Sequence, residues 1–246
     1  MHYTEVCNWQ LALQKARNVT RQFISAEKHA TVLLLLIVQV LYSDCLTHPY
    51  SAMNLESLLK LRRTIRVVGF DDAPFLRHQA EKVFIAGVVC AGTRFEGMVW
   101  GQVQQDGWDA TDVICQLLVG KKFLPQLHLL LLDGIAFGGF NVVDLPQLSQ
   151  NLALPCVTVM RRLPDLIAIQ AAIQHLPQPE KRLQLLQRAG TIYQYPPFFF
   201  QVCGAHPEVI FAVLQRLTDC GKVPEALRLA HLIGTAVVKG ESGKSA

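Results

Sequence analysis

Two apolar runs in this chain stop abruptly at aspartate, IRVVGFDD at residues 65–72 and LLLLDG at residues 129–134. Short runs rich in valine, isoleucine and leucine, bounded by glycine and charge, read as strands buried on both faces. A carboxylate at the tip of such a strand is poorly solvated and points into whatever cleft lies beyond. If the two strands are neighbours their acids converge, and converging acids hold a divalent cation or share a proton.

The punctuation between the two runs decides whether they are neighbours. Residues 64–70 form a central strand, followed by a loop over 71–80 that contains Pro74. Residues 83–91 and 95–103 are strands separated only by Gly92-Thr93-Arg94, which is hairpin spacing. From Asp109, the residues Val113, Ile114, Leu117 and Leu118 recur at helical spacing, with Gly120 as the stop. Residues 127–132 are then a fully buried strand. Beyond it the pattern predicts strands at 156–160 and 198–203, and helices at 142–152, 165–175, 180–188, 206–218 and 224–238. If the first strand runs up, the hairpin takes the second down and the third up, and the helix from Asp109 returns downward. The strand ending at Asp133 therefore runs up, parallel to the first. Asp71, Asp109 and Asp133 are thus expected at one sheet edge. The fold class is α/β, a ribonuclease H-like mixed sheet with flanking helices.

Composition bounds the rest. At 246 residues and 51% hydrophobic content the chain suits one sizeable core. Its formal charge of +4 permits a nucleic-acid partner without demanding one, because the basic residues are scattered in pairs such as Arg62-Arg63, Lys121-Lys122 and Arg161-Arg162. The seven cysteines include no Cys-x-x-Cys pair, and Cys90, Cys115 and Cys156 lie in apolar runs. Reduced thiols and a cytoplasmic location follow. The segment TVLLLLIVQVLY at 31–42 is too short to span a bilayer, which takes about 20 residues. Residues 1–52 are read as an N-terminal extension without an assigned role, since Met53 makes a plausible natural start. Residues 53–240 are the domain and 241–246 a polar tail.

Three acids at one sheet edge make a site of oxygen ligands for a divalent cation, and such sites cut phosphodiesters. Each acid also has a plainer reading. Asp109 precedes Ala-Thr-Asp as a good helix N-cap, and Asp133-Gly134 fits a simple turn. Gly138-Gly139-Phe140-Asn141 either lets a nucleic-acid backbone approach closely or makes a tight strand-to-helix turn. Trp108 either stacks on an extruded base or packs in the core. The terminal GESGKS lacks the spacing of a phosphate-binding loop, because Val238 stands where a glycine is required.

The segments VVGFDDAPF, DGWDATDVI, LLLLDGIAFGGFNVVDL and KVPEALRLAHLI, taken together, resemble the endonuclease dU family, a relative of endonuclease V. The resemblance covers residues 55–245. It implies a ribonuclease H-like fold and cleavage, dependent on Mg2+ or Mn2+, of nucleic acid near a deaminated base. Deoxyuridine in DNA is the lesion it implies, with DNA favoured over RNA. By this resemblance Asp71 matches the first-strand metal acid and Asp133 the acid of the Asp-Gly motif. His231 matches a late helical histidine near the metal. Arg161 stands where endonuclease V has a lysine, and arginine suits a phosphate clamp but not proton donation. The glutamate before the second helix of endonuclease V is absent. Its stand-ins here are Asp106, Asp109 and Asp112, of which Asp109 is preferred. Asp72 is an accessory acid, either a second ligand or a loop cap. The strand-separating wedge of endonuclease V is also missing after the third strand. A non-catalytic binding module for nucleic acid or protein is the alternative reading, and a phosphatase of small substrates a third.

Overall fold

The structure is a computed structural model that describes residues 54–76 and 81–243. The N-terminal extension, the apolar segment at 31–42 and the last residues of the polar tail lie outside them. A short helix α1 (Leu55–Lys60), capped by the Asn54 side chain on the Ser57 N–H, leads into the sheet. The strands β1 (Arg66–Asp72), β2 (Lys82–Ala91) and β3 (Arg94–Gln104) form an antiparallel meander. Helix α2 (Ala110–Leu118) then returns the chain to β4 (Leu129–Asp133), which pairs parallel with β1. A two-stranded ribbon, β5 (Ala136–Phe137) with β6 (Asn141–Val142), precedes helix α3 (Leu145–Leu152) and strand β7 (Cys156–Met160). Helices α4 (Leu166–Ile173) and α5 (Pro179–Arg188), the hairpin β8 (Tyr193–Tyr195) and β9 (Phe198–Cys203), and helices α6 (Pro207–Leu217) and α7 (Glu225–Lys239) complete the chain. The seven-stranded sheet runs β3-β2-β1-β4-β7-β9-β8. The first four strands have the order and directions read from the sequence.

Three local readings change. The first strand extends through Asp72, so both acids of GFDD belong to the strand and not to the loop. The helix expected from 142 begins at Leu145, because Asn141 and Val142 pair with Phe137 and Ala136. Asp144 caps it by accepting from the Gln147 N–H, and Pro146 falls in the first turn, where a missing N–H has no partner to lose. Strand β8 was hidden by its length and by Pro196-Pro197, which join it to β9. The rings of Tyr193 and Tyr195 pack at a tilt against Phe200 of β9.

Alternation sorts the central strands into two buried faces. Val67, Leu129, Leu131, Val157 and Val159 pack with α6 and α7 on one face. Val68, Phe70, Leu130 and Leu132 pack with α2 and α3 on the other. Helix α7 lies unusually close to β1. A Cβ on Gly69 would stand 2.8 Å from the backbone of Ala226 and Leu227, and a Cβ on Gly234 would meet Ala73 at 3.2 Å. Each helical turn of α7 therefore advances about two residues along β1, matching a rise of about 5.4 Å per turn to about 6.6 Å per strand pair. Gly69→Ala is expected to push α7 off the sheet and lower unfolding stability by roughly 1–3 kcal/mol, as overpacking does, in a urea or thermal unfolding experiment.

Candidate metal centre

The parallel register of β1 and β4 sets Gly69 opposite Leu131 and Phe70 opposite Leu132, so Asp71 and Asp133 fall side by side. Residue parity puts both acids on the α7 face, at the strand ends. Helix α7, seated on Gly69, brings His231 one turn beyond Leu227, and its Nδ1 lies 2.9 Å from Asp71 Oδ2. Asp71, Asp133 and His231 each offer a ligand atom, and these atoms lie within 4.8 Å of one another. The other oxygen of Asp71 accepts the Asp72 N–H at 2.8 Å, which fixes the carboxylate plane. Arg161 follows β7 two residues after Val159, the neighbour of Asp133, and its Nη2 donates to Asp133 Oδ2 at 3.1 Å. That pair is partly exposed and worth little in water, which leaves the guanidinium free to move to a better anion.

The other suspected acids are not brought into this cluster. Asp109 follows the outer strand β3, two strand spacings or roughly 10 Å from β1. Its carboxylate accepts the Gln104 N–H at 3.1 Å and the Asn141 side-chain amide at 2.6 Å. It was expected to complete the metal site, and it is not among the groups brought together with Asp71, Asp133 and His231. Asp106, in left-handed conformation at φ 49°, accepts the Phe140 N–H at 2.7 Å. Asp112 is exposed on the first turn of α2. Asp72 points to the opposite face of β1 from Asp71 and accepts the Gly138 N–H at 2.7 Å.

Asp72, Asp106 and Asp109 thus share one task, pinning the ribbon that follows Asp133. Gly139, at φ 95°, favours glycine, since a side chain there would be strained and its Cβ would stand 2.4 Å from Asp106 Oδ1. Asn141 is fully buried and uses both ends of its amide, accepting from Ala110 N–H and donating to Gln104 O. Arg182 of α5, also fully buried, finishes the arrangement. It donates to the carbonyls of Asp106, Gly107 and Phe140, and its guanidinium lies 4.1 Å from the centre of the Trp108 ring. Lys181 stands 4.4 Å from the same ring, so Trp108 is engaged by two cations rather than packed in a core. Sequence reasoning missed Arg182 and Asn141. The glycine pair before Asn141 was a usable signal for the asparagine, because a tight turn leaves backbone groups to satisfy; KRLQLL carries none for the arginine.

Electrostatics fits a cation between the acids. Burial, reinforced by the charge of Asp71, holds the Asp133 carboxyl above its usual range, although Arg161 opposes the shift. Burial pushes Asp72 up to about 6, against the Gly138 N–H that favours its charged form. The hydrogen bond to Asp71 raises His231 above the ordinary imidazole value, with burial opposing. Two carboxylate oxygens beside an imidazole suit a hard divalent ion, and an ion there would relieve the repulsion between Asp71 and Asp133.

A mixed sheet of this order, with acids side by side at the ends of two central parallel strands, defines a ribonuclease H-like fold with a candidate metal site. The endonuclease dU family model matches residues 63–238, and the chain belongs to that family. A UPF0215 protein of Methanopyrus kandleri is 36% identical over 196 residues, covering 77% of this chain and 99% of that protein. A UPF0215 protein of Pyrococcus furiosus is 36% identical over 190 residues, covering 75% and 98%. Among solved structures, a protein of unknown function from Archaeoglobus fulgidus superposes with a TM-score of 0.68 at 31% identity, covering 72% of this chain and 99% of that one. The catalytic domain of human endonuclease V shares the fold at a TM-score of 0.52 and 14% identity, over 85% of this chain and 97% of that one.

All three raised groups shift stability in the same direction. A raised pKa means that the folded chain keeps a proton which the unfolded chain has lost, so stability falls as pH rises through that window. For Asp72 the window runs from 3.8 to about 6. For His231 the loss continues as pH passes its folded pKa, above 6.5. In EDTA, Asp72→Asn is expected to be more stable than wild type at pH 7. After discounting for solvent screening the difference is on the order of 1–2 kcal/mol, and it vanishes near pH 4. Thermal melts across that range check it.

Proposed function

We propose that this protein is a divalent-metal-dependent endonuclease that hydrolyses a phosphodiester of DNA beside a deaminated base, deoxyuridine being the preferred lesion. The observation that carries the reading is the convergence of Asp71, Asp133 and His231 at one end of the sheet with Arg161 beside them. Membership of the endonuclease dU family supports a nuclease acting on nucleic acid. Asp71 and Asp133 would hold Mg2+ or Mn2+, which supplies Lewis acidity and neutralises charge at a phosphodiester. Arg161 lets go of Asp133 and grips the scissile phosphate through two parallel N–H donors. His231 orients Asp71 through Nδ1, and its Nε2 is the atom that carries a proton to or from the reacting oxygens. Arg161 itself stays charged and moves no proton. The protein acts in the cytoplasm on nucleic acid, with DNA as substrate.

The test is cleavage of an end-labelled strand containing one uracil, with Mg2+ or Mn2+ present. Asp71→Asn and Asp133→Asn are each expected to lower the rate about 100-fold or more, whereas Asp109→Asn stays within about tenfold of wild type, because Asp109 caps the ribbon and touches no cation. If wild type binds the strand without cutting it, the protein is instead a binding module of the same fold.

A further inference from the structure

Phe140 is held more firmly than its place in the fold requires. Its N–H donates to Asp106 at 2.7 Å, and its carbonyl accepts from the fully buried Arg182. Its ring is only partly buried and packs in neither hydrophobic core. The residue lines instead an open cleft of about 520 Å³, which Asp133 also lines. Clefts that hold small ligands run from about 300 to 1,000 Å³, and this one falls among them. Gly134, next to Asp133, adds no side chain to the lining. It stands at φ 85°, its N–H is bonded to Val159 O, and the space where a Cβ would project is open. The cleft also contains Arg161 and Arg162, matched there by Asp133 and Asp165, so its lining carries no net charge.

We propose that this cleft receives the base joined to the phosphate at the metal centre, and that Phe140 is the ring on which that base stacks. The inference rests on the reading of the chain as a nuclease and names the residue that positions its substrate's base. Position favours this occupant, because Asp133 belongs both to the cleft and to the cluster with Asp71 and His231. A nucleotide whose phosphate meets a cation there has the cleft beside it. Charge favours it too, since a base is a flat, neutral ring and the cleft is electrically balanced. The anionic part of the nucleotide stays outside, at the cation. Rigidity is the third argument. A stacking face contributes most when it is ordered before the ligand arrives, and Asp106 and Arg182 fix the backbone that carries this ring. Every base has a face to stack, so the slot positions a nucleotide without itself selecting uracil.

The experiment uses the full chain and two short single strands in Ca2+, so that binding is read without cleavage. One strand consists of abasic units with a single uracil at its centre, and the other is wholly abasic. Wild type is expected to bind the uracil strand about tenfold more tightly than the abasic one. Phe140→Leu is expected to lose that preference while its affinity for the abasic strand stays within about twofold of wild type, and Phe140→Tyr to keep the preference. A second variant, Ala172→Trp, fills the cleft from an exposed position on its other wall and is expected to abolish the preference with Phe140 untouched. Circular dichroism melts of the four proteins should coincide. Equal binding of both strands by wild type would overturn the slot alone, as would an undiminished preference in Phe140→Leu or Ala172→Trp. Weaker binding of both strands alike by Phe140→Leu would overturn it too, since that is the mark of a purely structural residue. A preference for the uracil strand in a wild type that never cuts in Mn2+ would keep the slot and sink the endonuclease reading. No binding to either strand would sink both.

Discussion

Parallel pairing of β1 with β4, in the register that aligns Gly69 with Leu131, is the constraint on which the rest of this structure depends. That register sets Asp71 beside Asp133 on one face and sends Asp72 to the other. A slip of one residue would exchange the faces of the whole strand, bury Asp72 under α7 and turn Asp71 toward α2. The same register fixes Gly69 under α7, and the close approach there brings His231 within hydrogen-bond distance of Asp71. The core and the candidate site therefore have one cause. The apolar residues that hold the two strands together also decide which carboxylates meet.

A second layer of organisation surrounds that cluster. Three acids outside it, with Asn141 and the buried Arg182, are spent on the glycine ribbon between β4 and α3. The ribbon carries Phe140, one wall of the cleft that ends at Asp133. Backbone groups in a tight turn cannot be left unpaired once buried, and carboxylates and a guanidinium satisfy them here. Across the cleft lies α4, on which Leu166 and Ile167 are exposed.

Much of this was legible in the sequence, for identifiable reasons. The order and direction of β1 to β4 followed from hairpin spacing at Gly92-Thr93-Arg94 and from the crossover rule, which are local signals. The adjacency of Asp71 and Asp133 came from the same tracing, and the pairing of His231 with Asp71 agrees with the position that the family resemblance gave it. Asp109 was misplaced because tracing gives the edge of the sheet at which a residue lies and not its lateral distance along that edge. Two strand widths separate it from Asp71. Its alternative reading as a cap was nearer, although it caps the end of β3 and the ribbon and not α2. Arg182 was invisible because its partners are backbone carbonyls, three of the four more than 40 positions away, which leave no side-chain pattern to find.

The account turns on which carboxylates hold the cation. Diffraction from crystals soaked in Mn2+, collected at a wavelength where manganese scatters anomalously, answers this without reference to activity or substrate. The account requires an anomalous peak between the carboxylates of Asp71 and Asp133, close to His231, with Asp109 still bonded to Asn141. A peak at Asp106 or Asp109 instead, with none between Asp71 and Asp133, would contradict it.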